Sequence, residues 1–465
     1  MPVSVMYEKL MRRSPAGFNT AVWRALCCVL TILLVAQNLR LWHTSHQAIA
    51  KVPPPLAHIA SAPVINPNLG EWLFNATRDG NNYALNHEQC TTAFPNLYQE
   101  INRAVTLRKG KLGKIPESST SIDFLNEGLF RLLIHKNKLR ILESQNAFTN
   151  KLHYQRARAV LLQLNRALIG ATAAGENLPT IAFSVNVDDR PGLPETANDT
   201  HVVWSFARKL DEPAHDRAWL MPDFNFWAWV GIAGDFAEYR DRAAERDGFI
   251  ADKIPQAVWR GAKWTNPEVR GPLLEVSKGK PWADIREIHW GDEKDMMPVE
   301  DLCKYAYVVH TEGRSWSGRM KYLLQCDSVP IVHEMDWTSH YYHLLRGEGE
   351  EEQNYVPVRR KFSDLERKVQ YYMKHPEEAQ RISDNARAAF RNRYLTPAAQ
   401  ACYWRRLIKG YGEVAVRPKV YADDDDDVEV GVAGSRRGTA ERRLRGISYE
   451  EFMLTEDEYP RIPAD

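Results

Sequence analysis

The sequence predicts an α/β fold, and three stretches carry that prediction. The first, residues 304–330 (KYAYVVHTEGRSWSGRMKYLLQCDSVP), opens with a β-branched and aromatic run at 306–311, short enough to be a buried parallel strand. A polar loop at 312–317 follows, and 318–326 then reads as a helix with Met320, Leu323 and Leu324 on one side. Residues 328–333 read as a second strand, completing a β-loop-α-β unit. The second stretch is 180–187 (TIAFSVNV), a buried strand that ends in Asp188, Asp189, Arg190, Pro191 and Gly192. The third is a strand at 257–259 running into a cation-rich loop at 260–267, with Arg270 just beyond. In such units the loop after a strand lies at the carboxyl edge of the sheet, where ligands bind. One of these loops is acidic and two are basic. That combination suits a nucleophile to be deprotonated beside a phosphate leaving group.

From the amino terminus onward, the 465 residues allow two globular lobes with terminal extensions. Hydrophobic content is ordinary at 44%, and a net charge of +1 gives no basic excess for nucleic-acid binding. Residues 1–24 hold Lys9, Arg12, Arg13 and Arg24 against the single acid Glu8, which predicts a cytoplasmic basic tail. The apolar run at 25–36, extended to 42, predicts a signal anchor of type II topology in the Golgi or endoplasmic reticulum membrane, with a cleavable signal peptide as the alternative. Residues 43–70, with three consecutive prolines and no apolar period, read as a stalk. Sequons at Asn75 and Asn198 fit a luminal chain. Outside the apolar run lie Cys90, Cys303, Cys326 and Cys402, which allow three pairings in an oxidising lumen; joining Cys303 to Cys326 would clamp both supports of the 312–317 loop. The cysteines show no zinc-ligand spacing.

Residues 118–170 read as helical throughout. Trp219, Trp227 and Trp229 could stack on sugar or base rings, although core packing is the commoner use of such residues. After residue 355 the chain turns helical, with a capping-box match at 363–366. His340 and His343 stand three apart without an evident third metal ligand. Residues 413–465, with the aspartate run at 423–427, read as a disordered tail.

The ordered series NVDDRP (186–191), WRG (259–261), PEVRGPLL (267–274), the 303–329 stretch, NYVPV (354–358), SDL (363–365) and ACYWRRLIKGY (401–411) resembles glycosyltransferase family 90, the fungal capsule-associated type that includes Rumi-like animal protein O-glucosyltransferases. The resemblance covers about half the chain, from 178 to 411, and implies a GT-B-like architecture of two Rossmann-type lobes. An acceptor lobe would span 71–235 and a sugar-nucleotide lobe 236–412. The resemblance further implies an inverting, metal-free transferase without a cofactor, whose partners are a UDP-sugar, with xylose or glucose as the sugar, and a glycan or protein hydroxyl. On the family pattern Asp189 is the general base. Arg270 and Arg319 hold the diphosphate, and Gly313, Arg314, Ser315, Trp316 and Ser317 form the donor loop, with Arg260 and Gly261 as further candidates. A Cys303–Cys326 disulfide carries over, and Cys90–Cys402 is the second expected pair. Ala262 and Arg190 depart from the family pattern, on the donor and acceptor sides respectively. Two other readings compete. A metal-dependent GT-A enzyme would hold manganese on Asp188 and Asp189, and a non-catalytic, membrane-anchored lectin would use the tryptophans.

Overall fold

In the computed structural model, which describes residues 72–196, 198–289, 295–422 and 443–454, two sheets set the architecture. The basic tail, anchor and stalk expected at 1–70 lie outside the described residues. No helix among the described residues is long and apolar enough to cross a membrane.

The first sheet contains β1 (Leu129–His135), β2 (Lys138–Gln145), β3 (Ile181–Asn186), β4 (Val203–Ser205) and β5 (Ala218–Leu220), with a short edge strand, Ile447–Ser448, on β2. β1 pairs antiparallel with β2 and β3, whereas β3, β4 and β5 run parallel. The β1–β2 hairpin corrects the helix expected over 118–170, of which only the second half, α1 (Lys151–Ala173), forms. β1 (LFRLLIH) is mostly apolar and buried, broken only by Arg131 and His135, and so short an apolar run has no clear period to separate strand from helix. The hairpin turn places Lys136 at φ 52° and Asn137 at φ 56°. Two successive left-handed residues make the tight turn whose twist matches paired strands. The tail expected to be disordered from 413 is also corrected in part, since Ile447–Ser448 joins this sheet and Tyr449–Leu454 is helical.

The second sheet is wholly parallel, with β6 (Ile254–Gly261), β7 (Ala283–Glu287), β8 (Tyr305–His310), β9 (Val329–His333) and β10 (Val356–Val358). Its spatial order is β7-β6-β8-β9-β10. The order reverses between β6 and β8, and in doubly wound sheets ligands bind in the crevice that opens there. Val309, Ile331 and Val358 pack with Val269 and Leu273 of α2 (Pro267–Ser277) to form the core beneath that crevice. Of the helix expected at 318–326 only one turn is α-helical, Met320–Leu323. Beyond it the N–H groups of Gln325 and Cys326 bond three residues back, tightening the chain into β9. No capping box forms at 363–366. Asp364 accepts the N–H of Arg359, and Glu366 accepts the indole N–H of Trp282.

Both expected disulfides are present, Cys303–Cys326 and Cys90–Cys402. Helix α3 (Pro397–Val414), expected at the end of the second lobe, instead packs on α1 and the first sheet. Its Tyr411 ring lies 5.5 Å from Trp204 and 5.1 Å from Trp219.

Candidate active site

A cleft of about 990 Å³ opens at the carboxyl ends of β6 and β8, closed on its far side by α1 and the turn after β3. Seven cations line it: Lys151, Arg156, Arg158, Arg260, Arg270, Arg314 and Arg319. Among the described residues that line it, the only carboxylate is Asp189. Such a balance suits an anionic ligand beside one basic oxygen.

The acidic side is built by the turn after β3. Asn186, buried at the strand end, donates through Nδ2 to the carbonyls of Arg190 (3.0 Å) and Pro191 (2.9 Å), while its Oδ1 accepts the N–H of Asp188 (2.8 Å). Asp188 in turn accepts the N–H of Asp189. Turned by these bonds, the half-buried Asp189 carboxylate faces Arg156 of α1 at 3.1 Å. Arg156 also donates to the carbonyl of Val187 (3.0 Å) and lies 4.8 Å from the centre of the Phe224 ring. The Asp189 carbonyl accepts the hydroxyl of Ser315, and Arg190 donates to the carbonyl of Arg314 (3.3 Å), so the Asp189 turn and the basic loop hold each other.

The basic side comes from α2 and the loop after β8. Arg270 is buried, bonded to the carbonyls of Glu312 (3.0 Å) and Ala262 (2.8 Å). Burial, with the charge of Arg319 nearby, pushes its guanidinium down to about 9. Arg319 donates to the carbonyl of Arg260, its Nε is sealed from water without a partner, and burial pushes it down to about 10. Among the described residues no carboxylate pairs with either guanidinium. Arg260 differs, because Asp284 takes its charge at 2.7 Å and also accepts the Tyr305 hydroxyl. Glu312, fully buried, anchors the loop by accepting the N–H groups of Asp336 and Trp337 (both 2.8 Å) and pairing with Arg360 (2.9 Å).

Of the expected donor residues, Gly313, Arg314, Trp316, Ser317, Arg319, Arg270, Arg260 and Gly261 all line the cleft. Ser315 does not; it is buried, and its hydroxyl donates to the carbonyl of Asp189. Trp227 and Trp229 line the cleft, whereas Trp219 is core. His340 bonds Gln400 and His343 bonds the carbonyl of Asn96. Residue patterns missed Arg156 and Arg158 on α1, and Trp264, whose ring lies 5.3 Å from the Arg314 guanidinium at the mouth. Arg156 stands 33 positions before Asp189, and nothing local in the sequence marks it as the partner.

Gly318 matters for space. A Cβ there would sit 2.3 Å from Asn225 Nδ2 and 2.8 Å from the Trp316 ring. Gly318→Ala is expected to cost about 1–3 kcal/mol of stability by overpacking and to displace Trp316 from the cleft. Thermal melts and tryptophan fluorescence check both effects.

A family model described as glycosyl transferase family 90 matches residues 95–458. Protein O-glucosyltransferase 3 of Rattus norvegicus is 27% identical over 264 residues, covering 53% of this chain and 49% of that protein. Protein O-glucosyltransferase 1 of Homo sapiens is 24% identical over 293 residues, covering 56% and 72% respectively. Protein O-glucosyltransferase 2 of Danio rerio is 34% identical over 121 residues, or 26% of this chain and 23% of that protein. The chain thus spans about half the length of the O-glucosyltransferase 3 relative it matches.

Proposed function

This chain belongs to glycosyl transferase family 90, and on that premise we propose that it transfers a sugar from a UDP-sugar to a protein or glycan hydroxyl, with inversion and without a catalytic metal. The observation that carries the reading is a single carboxylate, Asp189, in one cleft with seven cations among its described lining residues. Asp189 takes the proton of the acceptor hydroxyl as its oxygen attacks the anomeric carbon. The attack comes from the face opposite UDP, and the bond to the β-phosphate oxygen breaks with its electron pair leaving on UDP. Arg270 and Arg319 receive that developing charge, a role a divalent cation plays elsewhere. The helix beginning near Ser317 is a single turn and adds no dipole worth invoking. The donor loop contributes Gly313, Arg314, Trp316 and Ser317, and Trp227 and Trp229 offer faces to the acceptor.

The relatives' names favour glucose as the donor sugar and a protein hydroxyl as acceptor, with xylose as the second donor to test. A GT-B-like pair of lobes fits the parallel second sheet and the crevice at its switch point. Two disulfides and the exposed sequon residues Asn75 and Asn198 support a luminal enzyme glycosylated at those positions. The test is UDP release by the purified protein from a panel of UDP-sugars, with and without EDTA. Release from one donor, insensitive to EDTA, is the expected result and names the sugar. EDTA-sensitive release moves the assignment to a metal-dependent enzyme using Asp188 and Asp189, and failure to bind UDP moves it to a lectin.

A further inference from the structure

Behind the cleft wall lies an ion pair that the proposed chemistry does not use. Lys321, fully buried, places Nζ 2.7 Å and 2.8 Å from the two carboxylate oxygens of Asp223 and 2.9 Å from the carbonyl of Gly318. All three ammonium protons are thereby satisfied. Asp223, also buried, accepts the N–H of Asn225 (2.9 Å), and its carbonyl accepts the side-chain N–H of Gln163 on α1 (3.0 Å). The Tyr322 hydroxyl adds a bond to the carbonyl of Asn225 (3.0 Å). The pair therefore joins two pieces of chain about a hundred residues apart in sequence. One is the segment of Phe224 and Trp227, which walls the acceptor side; the other is the end of the basic loop, with Trp316, Gly318 and Arg319.

Stability does not account for such a pair. Removing two charges from water costs more than their attraction commonly returns, and apolar replacements of buried pairs are often neutral or stabilising. Burial pushes Lys321 down to about 8 and Asp223 up, which is the trace of that cost. Geometric fixation remains. Phe224, next in sequence to Asp223, lies under Arg156, which holds the Asp189 carboxylate. A continuous path of contacts thus runs from Asp189 through Arg156, Phe224, Asp223 and Lys321 to the basic loop.

We infer that Lys321 and Asp223 are a positioning pair that sets the acceptor wall and the base against the donor loop; this rests on the transfer reaction proposed above. The test is the double variant Asp223→Leu/Lys321→Met beside wild type, with thermal melts, UDP titration, and kcat and KM for the UDP-sugar. The expected result is a folded protein that binds UDP within about threefold of wild type but loses about 10–100-fold in kcat, the scale of a misplacement of about 1 Å. A purely structural pair would move the melting temperature and leave kcat alone. A folded double variant with wild-type kcat overturns the inference. If that variant does not fold, Lys321→Arg keeps the charge and moves the donor head. It is expected to lower kcat at unchanged UDP affinity, and wild-type kcat there also overturns the pair. Wild-type protein that transfers no sugar overturns the proposed function instead. The pair is then judged by amide exchange, expected to rise at 223–229 in the double variant, with unchanged exchange counting against it.

Discussion

Asp189→Asn lowers sugar transfer by about 10²–10⁴-fold, the range a positioned general base supplies, while UDP binding and the melting temperature stay near wild type. The amide keeps the size of the carboxylate, and its oxygen can still accept from Arg156, which sits 3.1 Å away in wild type. The backbone of the turn is unaffected, because Asn186 and the Ser315 hydroxyl hold it through main-chain atoms. What the variant lacks is a group able to take the acceptor's proton. The lost ion pair is half exposed on the Asp189 side, so its removal costs about 1 kcal/mol or less. Asp188→Asn is the matched control. Its wild-type carboxylate accepts only the Asp189 N–H among the described bonds, an amide oxygen can do the same, and transfer should change by less than about tenfold. The two variants therefore separate the readings. A base loses activity at Asp189 alone, whereas a manganese-holding pair loses it at both positions and in EDTA. Near wild-type transfer by Asp189→Asn rules out the base.

How much of this was legible in the sequence depended on whether a signal was local. Each of the three strand-to-loop junctions was readable, because β-branched runs next to turn or charged residues mark a strand end without reference to the rest of the chain. β3, β6 and β8 lie there, and Asp189, Arg270 and Arg319 all line the cleft. The β1–β2 hairpin was lost because its turn is Lys136-Asn137, without the Asn-Gly or Asp-Gly pair that marks such turns, and a mostly buried strand has little alternation to betray it. The strand order that places β6 beside β8 has no trace in composition at all. The partners that tune the site are missing for the same reason. Arg156 meets Asp189, and Lys321 meets Asp223, only after the chain has crossed between sheets. Ser315 shows the converse failure: a hydroxyl in an apparent donor loop is spent on the backbone of the base turn. A motif gives the residues of a site more readily than the atom each one faces.

Arg319→Met should make the free protein more stable and nearly inactive. Folding takes the guanidinium into a buried site that pushes it down to about 10, so the folded chain holds that proton less tightly than the unfolded chain. The penalty is complete below about pH 10 and fades as pH rises through that value. At neutral pH the wild-type cation therefore opposes folding. Among the described residues its Nε has no partner, and its side chain bonds only the Arg260 carbonyl. Methionine fills a similar space without a charge, and the melting temperature should rise by about 1–3 °C. The donor then loses its diphosphate partner. Transfer should fall by about 10²–10³-fold, as when one charge-stabilising donor is removed from an active site. Saturating UDP, which stabilises a binding protein by about 2.7 kcal/mol at a hundred times its Kd, should no longer raise the melting temperature. Arg270→Met should lose UDP as well but without the gain in stability, because it strips a bond from the carbonyls of Glu312 and Ala262. Melting curves of the three proteins with and without UDP decide the matter. An Arg319→Met protein that melts lower and still responds to UDP would make this arginine structural, and the charge on the leaving diphosphate would then fall to Arg270 and the exposed Arg314.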